Sequence, residues 1–273
     1  MDKTVKLNNG VLMPRIGLGV FRAQDGMETV NAVKWAIEAG YRHIDTAAVY
    51  GNEESVGKGI RESRTPRSEL FITTKLWNDD IRAGRTAEAF KESLERLGLD
   101  YIDLYLIHWP ADGYEKAWKV MEALYKEGRA RAIGVSNFHV HHLDKLARHA
   151  DIVPAVDQVE CHPYLSQTPL RGELAARGIA CEAWSPLGGG HGKVLVDKTV
   201  AAIASDCGRT PAQVILRWDL QHGIITIPKS VHKDRIISNL DVFSFELTGA
   251  QMNQLDALNL NQRVGADPEN FNF

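Results

Sequence analysis

The sequence predicts a single-domain α/β fold over residues 1–273, in which eight parallel strands alternate with helices in a closed (β/α)8 barrel. Eight short apolar runs recur along the chain, and each is followed by a segment of helical periodicity. No GxGxxG motif follows a strand, which disfavours the open dinucleotide-binding sheet. The eight runs are residues 16–19, 43–47, 70–76, 103–109, 131–136, 155–161, 179–187 and 223–230.

The spacing of these runs supports a repeated strand-helix unit. Six of the seven intervals between run starts are 24–33 residues long, close to what a strand, a helix and two loops need. The last interval, from residue 179 to residue 223, is 44 residues. It predicts extra structure after the seventh strand.

Local helix signals agree with this periodicity. Residues 28–39 and 86–97 each place apolar side chains on one face, as a helix lying on a sheet does. Gly98 stands where the second helix would end in a left-handed residue. Thr210 followed by Pro211 is typical of an N-cap and the first helical position.

Composition excludes several functional classes. Lys and Arg total 32 against 35 Asp and Glu, a net charge of −3, which argues against nucleic acid and anionic membranes as partners. No apolar stretch approaches the roughly 18 residues needed to span a bilayer. The cysteines Cys161, Cys181 and Cys207 form no CxxC pair, so reduced thiols are expected. With no hydrophobic leader at the N-terminus, we expect a cytoplasmic protein.

Four polar residues stand at or just beyond predicted strand ends, where α/β folds gather their functional groups: Asp45, Tyr50, Lys75 and His108. Each alone has a structural explanation. Asp45 and Lys75 could form a structural ion pair, His108 could be a hydrogen-bonded core histidine, and Tyr50 could be an interfacial phenol. Three consecutive strands nevertheless deliver an acid, a base and a cation to one rim, which favours a catalytic site.

Four separated segments resemble signatures of the aldo-keto reductases, and the resemblance extends over nearly the whole chain. The segments are GYRHIDTAAVYGNE at 40–53, LIHWP at 106–110, GVSNF at 134–138 and IPKS at 227–230. The resemblance implies the (β/α)8 barrel, NADPH/NADP+ as cofactor, reversible reduction of a small-molecule carbonyl substrate, and a monomer.

The chemistry of carbonyl reduction fits the four polar residues. Hydride arriving at a carbonyl carbon leaves negative charge on oxygen, which requires a proton donor there. We expect Tyr50 to be that donor, with the Lys75 ammonium lowering its pKa and Asp45 holding Lys75 charged. His108 would orient the carbonyl through a hydrogen bond. No His/Cys/Asp cluster has metal-ligand spacing, so no metal is expected.

The resemblance also implies a cofactor site. The nicotinamide carboxamide would be bound by Ser136, Asn137 and Gln158, and the face of its ring would stack on Trp184. The pyrophosphate would be bound by Ser185, Leu187 and Gly188. The 2′-phosphate would be bound by Lys229, Ser230 and Arg235, and the adenine would contact Asn239. Two cations and a hydroxyl suit a phosphate, which favours NADPH over NADH. Many relatives have a glutamate in place of Ser238, and some close relatives have an arginine in place of His232, so some use of NADH is expected.

The substrate pocket is predicted at an apolar mouth formed by Val20, Phe21, Trp77 and Trp109. Only 27 residues separate His108 from Ser136, so the large loop of mammalian relatives is missing. The chain therefore resembles the shorter microbial branch, which includes 2,5-diketo-gluconate, methylglyoxal and prostaglandin reductases. An open pocket predicts a broad substrate range.

The sequence also allows two other functions, and it does not fix the role of the tail. An NADPH-binding sensor is disfavoured by the complete set of four polar residues, and a hydrolase or isomerase would leave Trp184 and the phosphate pocket unexplained. The polar tail at 265–273 could be a frayed end or a flap that completes the pocket.

Overall fold

Eight parallel strands form one curled sheet in the computed structural model, which describes residues 2–189 and 193–273. Each of the eight predicted runs contributes one strand, and neighbours along the chain are neighbours in the sheet. The strands are β3 (Leu18–Gly19), β4 (His43–Asp45), β5 (Phe71–Leu76), β6 (Ile102–Ile107), β7 (Ala130–Ser136), β8 (Val156–Glu160), β9 (Ala180–Trp184) and β10 (Ile225–Thr226).

The two ends of the sheet are hydrogen-bonded to each other. The Gly17 amide donates to the Thr226 carbonyl at 2.9 Å, and the Thr226 amide donates to the Arg15 carbonyl at 3.0 Å. Gly19 continues the series by donating to the Pro228 carbonyl at 3.2 Å. The segment around β3 therefore pairs in parallel with the segment around β10.

Helices follow the strands and cover the outside of the sheet. They are α1 (Met27–Ala39), α2 (Glu53–Ser63), α3 (Asn78–Arg82), α4 (Thr86–Leu97), α5 (Tyr114–Lys126), α6 (Val140–Ala147), α7 (Thr168–Ala176), α8 (Lys198–Cys207), α9 (Pro211–Gln221), α10 (Lys233–Leu240) and α11 (Gly249–Asp256). In the described part of the chain, no helix combines the length and apolarity that a bilayer crossing requires.

The local helix signals are confirmed. Gly98 ends α4 with φ 65°, the left-handed conformation that glycine adopts without a Cβ clash. Thr210 caps α9 by accepting from the Gln213 amide, and the Gln213 side chain accepts from the Thr210 amide. The long last interval holds both α8 and α9, which is the extra structure that the spacing predicts.

An N-terminal hairpin that the sequence pattern did not predict covers the inner core. Its antiparallel strands are β1 (Thr4–Lys6) and β2 (Leu12–Pro14). Leu7 and Met13 of the hairpin are buried with the inward side chains Leu104 and Leu106 of β6. Tyr105, which alternates with them, packs instead in the larger cluster beneath the helices.

Several strands are shorter than predicted, because polar or left-handed residues end them. The seventh was expected over 179–187, yet β9 ends at Trp184, since Ser185 has φ 48° and Pro186 follows it. The second was expected over 43–47, yet β4 ends at Asp45 and the chain enters a short 3-10 turn, Ala48–Tyr50. Asp45, Tyr50 and Trp184, which belong to the site described below, lie at these early ends.

Candidate active site

The four polar residues singled out in the sequence meet at the carboxyl ends of the strands. Asp45 ends β4, Lys75 lies near the end of β5, His108 follows β6, and Tyr50 closes the 3-10 turn after β4. The ammonium group of Lys75 donates to Asp45 Oδ1 at 2.6 Å, to the Thr46 carbonyl at 2.9 Å and to the Tyr50 hydroxyl at 3.3 Å. All three protons of the ammonium are therefore directed at named oxygens.

The Lys75–Asp45 pair is fully enclosed by the protein. The side chains are 0% and 2% exposed. Burial by itself lowers the pKa of Lys75. The negative charge of Asp45 and the hydrogen bond to it raise the pKa by more than burial lowers it, so the net direction is upward. Lys75 consequently stays an ammonium at neutral pH.

The pKa of Tyr50 is raised in this structure, whereas the sequence led us to expect that it would be lowered. Burial raises it, and Lys75 lowers it as expected, but burial is the larger effect and the net direction is upward. The expectation was therefore right about the action of Lys75 and wrong about the balance, because a sequence does not show how deeply a phenol is buried. The hydroxyl is protonated at neutral pH and able to donate.

His108 is a neutral imidazole in this site. Burial, reinforced by the nearby Lys75 charge, holds the pKa of His108 well below its usual 6.5. The ring stands edge-on to that of Tyr50, with centroids 5.7 Å apart, and edge-on to that of Trp77 at 5.2 Å. Its Nδ1 is buried without a hydrogen-bond partner among the residues described.

A second carboxyl lies beneath the Lys75–Asp45 pair. Gln158 Nε2 donates to Asp45 Oδ2 at 2.8 Å and to Glu182 Oε2 at 2.8 Å. Burial, together with the negative charge of Asp45, raises the pKa of Glu182 from its usual 4.5 to about 8. Glu182 therefore carries a proton at neutral pH, while Asp45 pairs with Lys75.

Ser136, Asn137 and Trp184 form a hydrogen-bonded group beside these carboxyls. Asn137 Nδ2 donates to the His108 carbonyl at 2.9 Å and to Ser136 Oγ at 3.1 Å, and Asn137 Oδ1 accepts from the Trp184 indole at 2.8 Å. Asn137 has φ 63°, which turns its side chain out of line with β7. The structure thus brings the predicted nicotinamide contacts, with Gln158, next to the four polar residues.

The chain after β9 turns sharply at the predicted pyrophosphate residues. The Gly188 amide donates to the Ser185 carbonyl at 2.9 Å, and both residues have positive φ, 74° and 48°. Leu187 between them packs on the core. The glycine-rich residues at 190–192 lie outside the described part of the chain.

The predicted phosphate and adenine residues lie just before α10 and along it. Lys229 Nζ is 3.5 Å from the Arg22 carbonyl, and the Ser230 hydroxyl accepts from the His232 amide at 3.1 Å. Arg235 is exposed on α10, and Asn239 is buried one turn later on the same helix. Within residues 2–189 and 193–273, neither Lys229 nor Arg235 forms a salt bridge with a carboxylate.

Aromatic rings surround the opening above His108. Phe21 lies 5.0 Å from Tyr50 between ring centroids. Trp77 stacks on Phe273 at 5.7 Å with an interplanar angle of 7°, and Trp109 contacts both Phe271 and Phe273. The C-terminal tail, left open between a frayed end and a flap, therefore folds over the mouth.

Val20 differs from the other predicted mouth residues. It is 1% exposed and packs in the hydrophobic core, because its amide donates to the Asp45 carbonyl at 3.1 Å and so holds it in line with the first strand. Val20 is therefore enclosed by the core, and its contact with a bound substrate stays a prediction. Phe21, the next residue, is 52% exposed and does face outward.

Polar contacts anchor the tail on both sides of the mouth. Asn78 Nδ2 and Arg82 Nη2, both on α3, donate to the backbone oxygen of Phe273 at 3.0 and 2.8 Å. On the other side, the Gly265 amide donates to Glu160 Oε2 at 3.1 Å. A Cβ at Gly265 would lie 2.4 Å from Trp184 Cη2, so the backbone rests directly on that ring.

Sequence reasoning missed several residues of this site. Glu182 was visible as an acidic residue in an apolar strand, two positions before Trp184 and on the same face, which is the one signal that could have found it. The partners of the tail, Asn78, Arg82 and Glu160, carried no pattern that linked them to residues more than 100 positions away.

Comparisons with known proteins identify the family. The model described as "Aldo/keto reductase family" matches residues 15–260. The glyoxal reductase of Bacillus subtilis (strain 168) is 55% identical over 274 residues, 100% of this chain and 99% of its own. The 9,11-endoperoxide prostaglandin H2 reductase of Trypanosoma cruzi (strain CL Brener) is 54% identical over 269 residues, 98% of this chain and 95% of its own.

A solved structure extends the likeness to three dimensions. The Bombyx mori aldo-keto reductase in complex with NADP superposes with a TM-score of 0.91 at 40% identity, over 97% of this chain and 95% of that one. The resemblance noted in the four sequence segments is confirmed. The chain belongs to the aldo/keto reductase family.

Proposed function

We propose that this chain is an NADPH-dependent reductase that converts aldehydes and ketones to alcohols, with Asp45, Tyr50, Lys75 and His108 as its catalytic residues. The observation that carries the proposal is the Lys75 ammonium, 3.3 Å from the Tyr50 hydroxyl and 2.6 Å from Asp45. A partly buried phenol next to a buried ammonium is suited to give up a proton and to be stabilised as the phenolate that remains.

Proton delivery follows from the protonation states in the site. Tyr50 holds its proton at neutral pH because burial raises its pKa, so its hydroxyl is a donor before the reaction. As negative charge develops on the substrate oxygen, Tyr50 Oη donates its proton to that oxygen. Lys75, with a raised pKa, remains charged and stabilises the new phenolate, while Asp45 keeps Lys75 in place.

His108 acts as an orienting residue rather than as an acid. Because its pKa is held well below 6.5, the ring is neutral and does not compete with Tyr50 for the proton transfer. A neutral imidazole still has one N–H to donate, and the edge-on contact of its ring with the Tyr50 ring, centroids 5.7 Å apart, supports a role for both residues at the same substrate atom. We assign it to the carbonyl oxygen of the substrate.

The residues around α10 and β9 fit a phosphorylated dinucleotide. Lys229 and Arg235 are cations with no carboxylate partner in the described ranges, and with the Ser230 hydroxyl they offer the donors that a 2′-phosphate requires. Trp184 offers an aromatic face, and Ser136, Asn137 and Gln158 offer amide and hydroxyl groups. Ser185, Leu187 and Gly188 would follow the pyrophosphate, and Asn239 the adenine. When bound, NADPH supplies the hydride.

The substrate class we propose is aldehydes and ketones, with dicarbonyls and keto sugars or acids included. The mouth formed by Phe21, Trp77 and Trp109 is apolar and aromatic, which suits carbonyl compounds of varied shape. The Bacillus subtilis relative is named for glyoxal, a small dicarbonyl, and the Trypanosoma cruzi relative for the 9,11-endoperoxide of prostaglandin H2, a much larger molecule whose reacting group is not a carbonyl. Two such different names at similar identity support a broad range.

The finer architecture belongs to the same proposal. Hydrogen bonds between the first and eighth strand segments support a closed (β/α)8 barrel, one domain over residues 1–273. The three cysteines are free thiols, which supports a reducing, cytoplasmic setting. The family resemblance supports a monomer, which sedimentation velocity tests directly.

The test is to offer the protein a panel of carbonyl substrates and to measure the turnover of each as loss of NADPH absorbance. The panel contains glyoxal, methylglyoxal, phenylglyoxal, aromatic aldehydes and 2,5-diketo-gluconate, with NADH run in parallel. Turnover of several carbonyls with NADPH supports the proposal. A protein that binds NADPH tightly and reduces none of them would instead be a cofactor-binding protein on the same fold.

A further inference from the structure

Three histidines and one glutamate cluster beside the tail, outside the site described above. His139, His141 and His142 lie at the start of α6, and Glu269 comes from the tail 127 residues beyond His142. One ligand atom from each of the four residues lies within 4.8 Å of every other. His139 Nδ1 is hydrogen-bonded to Glu269 Oε1, and His141 Nε2 lies 3.5 Å from Glu269 Oε2.

The hydrogen bonds in this cluster define the state of His139. Arg263 Nη2 donates to His139 Nε2 at 3.0 Å, so that nitrogen carries no proton. The proton of the neutral ring is therefore on Nδ1, directed at Glu269. Arg263 has a second carboxylate within reach, since its Nε lies 3.8 Å from Asp267 Oδ2.

We propose that His139, His141 and Glu269, with His142 as the fourth donor within reach, form a binding site for a divalent transition metal ion such as Zn²⁺, and that the ion fastens the C-terminal tail over the mouth of the active site. The donor set of imidazole nitrogens and one carboxylate is the set that Zn²⁺ takes in proteins. Four ligands around Zn²⁺ stand about 3.4 Å apart, so the cluster needs only a small contraction.

Binding requires one rearrangement, which the structure provides for. For Nδ1 of His139 to bind the metal through its lone pair, the ring proton moves by way of water from Nδ1 to Nε2. Nε2 then no longer accepts from Arg263, and the guanidinium turns to Asp267, which is already nearby. The Glu269 carboxylate neutralises one of the two positive charges of the ion, the exposed site leaves the other to solvent and counter-ions, and no proton is lost from the ring.

The exposure of the ligands allows the ion to enter from solvent. The side chains of His141 and Glu269 are 61% and 45% exposed, whereas that of His139 is 24% exposed. The site is therefore an open one on the surface, built across two segments that are distant in sequence. Its affinity depends on the tail being in place.

The position of Glu269 links the ion to the mouth. Phe271 and Phe273, two and four residues further on, pack against Trp109 and Trp77. A metal bond at Glu269 would hold these rings on the mouth and slow the opening of the tail. The ion is therefore a restraint on access and release, with no part in the transfer of hydride or proton.

The first experiment is isothermal titration of ZnCl₂ into the full chain, purified without a histidine tag and freed of metal with a chelator. We expect one equivalent to bind. Loss of an outer-shell partner alone costs about 10–100-fold in metal affinity, so His141→Ala and Glu269→Gln, which remove direct ligands, should weaken binding by at least that factor. His149→Ala, a change at an exposed histidine just after α6, should bind as wild type does.

The second experiment reads the tail itself, independently of enzyme activity. A serine carboxypeptidase releases Phe273, and mass spectrometry follows the release with and without ZnCl₂. Zinc should slow the release in wild type and in His149→Ala, but not in Glu269→Gln. Equal zinc affinity in wild type and Glu269→Gln, or zinc binding that leaves the release of Phe273 unchanged, would overturn the proposal.

Discussion

The side-chain amide of Gln158 lies 2.8 Å from Glu182 Oε2, and the same nitrogen donates to Asp45 Oδ2. One amide group thus bridges a carboxyl that is paired with Lys75 and a carboxyl that is protonated at neutral pH. The two carboxyl groups do not repel each other as two carboxylates would, because only one of them is charged. Ionisation of Glu182 would add a second buried negative charge beside Lys75.

The raised pKa of Glu182 predicts how stability depends on pH. The unfolded chain loses this proton near 4.5 and the folded chain near 8, so between these values the folded state holds a proton that the unfolded state has lost. The contribution of Glu182 to the free energy of unfolding is therefore fully present below about pH 4.5 and is lost as the pH rises towards about 8. Urea unfolding at several pH values measures it.

Glu182→Gln is the matched variant for this prediction. The glutamine side chain has the same shape and does not titrate, so its free energy of unfolding should fall less than that of wild type as the pH rises from about 4.5 to about 8. His43, whose Nε2 is 3.8 Å from Glu182 Oε1, is neutral over this range, since burial lowers its pKa to about 3. Parallel pH profiles for the two proteins would contradict the assignment.

Breaking the Lys75–Asp45 pair should destabilise the protein more than removing both charges. Lys75→Met leaves the Asp45 carboxylate buried without its cation, which costs about 3–5 kcal/mol in such pairs. The double variant Lys75→Met/Asp45→Asn leaves no uncompensated charge and should recover most of that loss. Reductase activity should be lost in both, so stability and catalysis separate. A single variant as stable as the double variant would count against an ion pair.

The sequence carried the signals for the repeated frame of this fold. The faces of α4, the left-handed Gly98 and the cap at Thr210 are local features, fixed by residues within a few positions of one another. The convergence of Asp45, Lys75 and His108 followed from the rule that parallel strands present their carboxyl ends at one edge.

Features that depend on contacts between distant parts of the chain could not be predicted from local sequence patterns. The link from Gln158 to Glu182 joins two strands, and the stack of Phe273 on Trp77 joins residues nearly 200 positions apart. The net direction of the Tyr50 pKa depends on burial, which is a property of the whole packed site.

Cofactor preference should respond to the cations near α10. Arg235→Ala should raise the KM for NADPH about 10-fold or more, because a hydrogen bond to a charged group contributes roughly 1.5–3 kcal/mol. The KM for NADH should stay the same, since NADH has no 2′-phosphate. Lys233→Ala removes another exposed cation of the same helix and is the control. Equal losses with NADPH and NADH would show that Arg235 does not read the phosphate.

The tail should affect bulky substrates more than small ones. Phe273→Ala removes the ring stacked on Trp77, so the KM for aromatic aldehydes should rise while that for methylglyoxal changes little. Leu260→Ala truncates an exposed apolar side chain that lies before the tail and serves as the control. Steady-state kinetics on both substrates measure the difference. A uniform change for the two substrates would mean that the tail does not line the pocket.

The most direct test of the central claim is the turnover of Tyr50→Phe, measured together with its affinity for NADPH. If Tyr50 donates the proton, removal of its hydroxyl should lower kcat by about 10²–10⁴-fold, the range for general acid catalysis. NADPH affinity, read from the quenching of tryptophan fluorescence, should be unchanged. A Tyr50→Phe protein that reduces carbonyls at the wild-type rate would contradict the account.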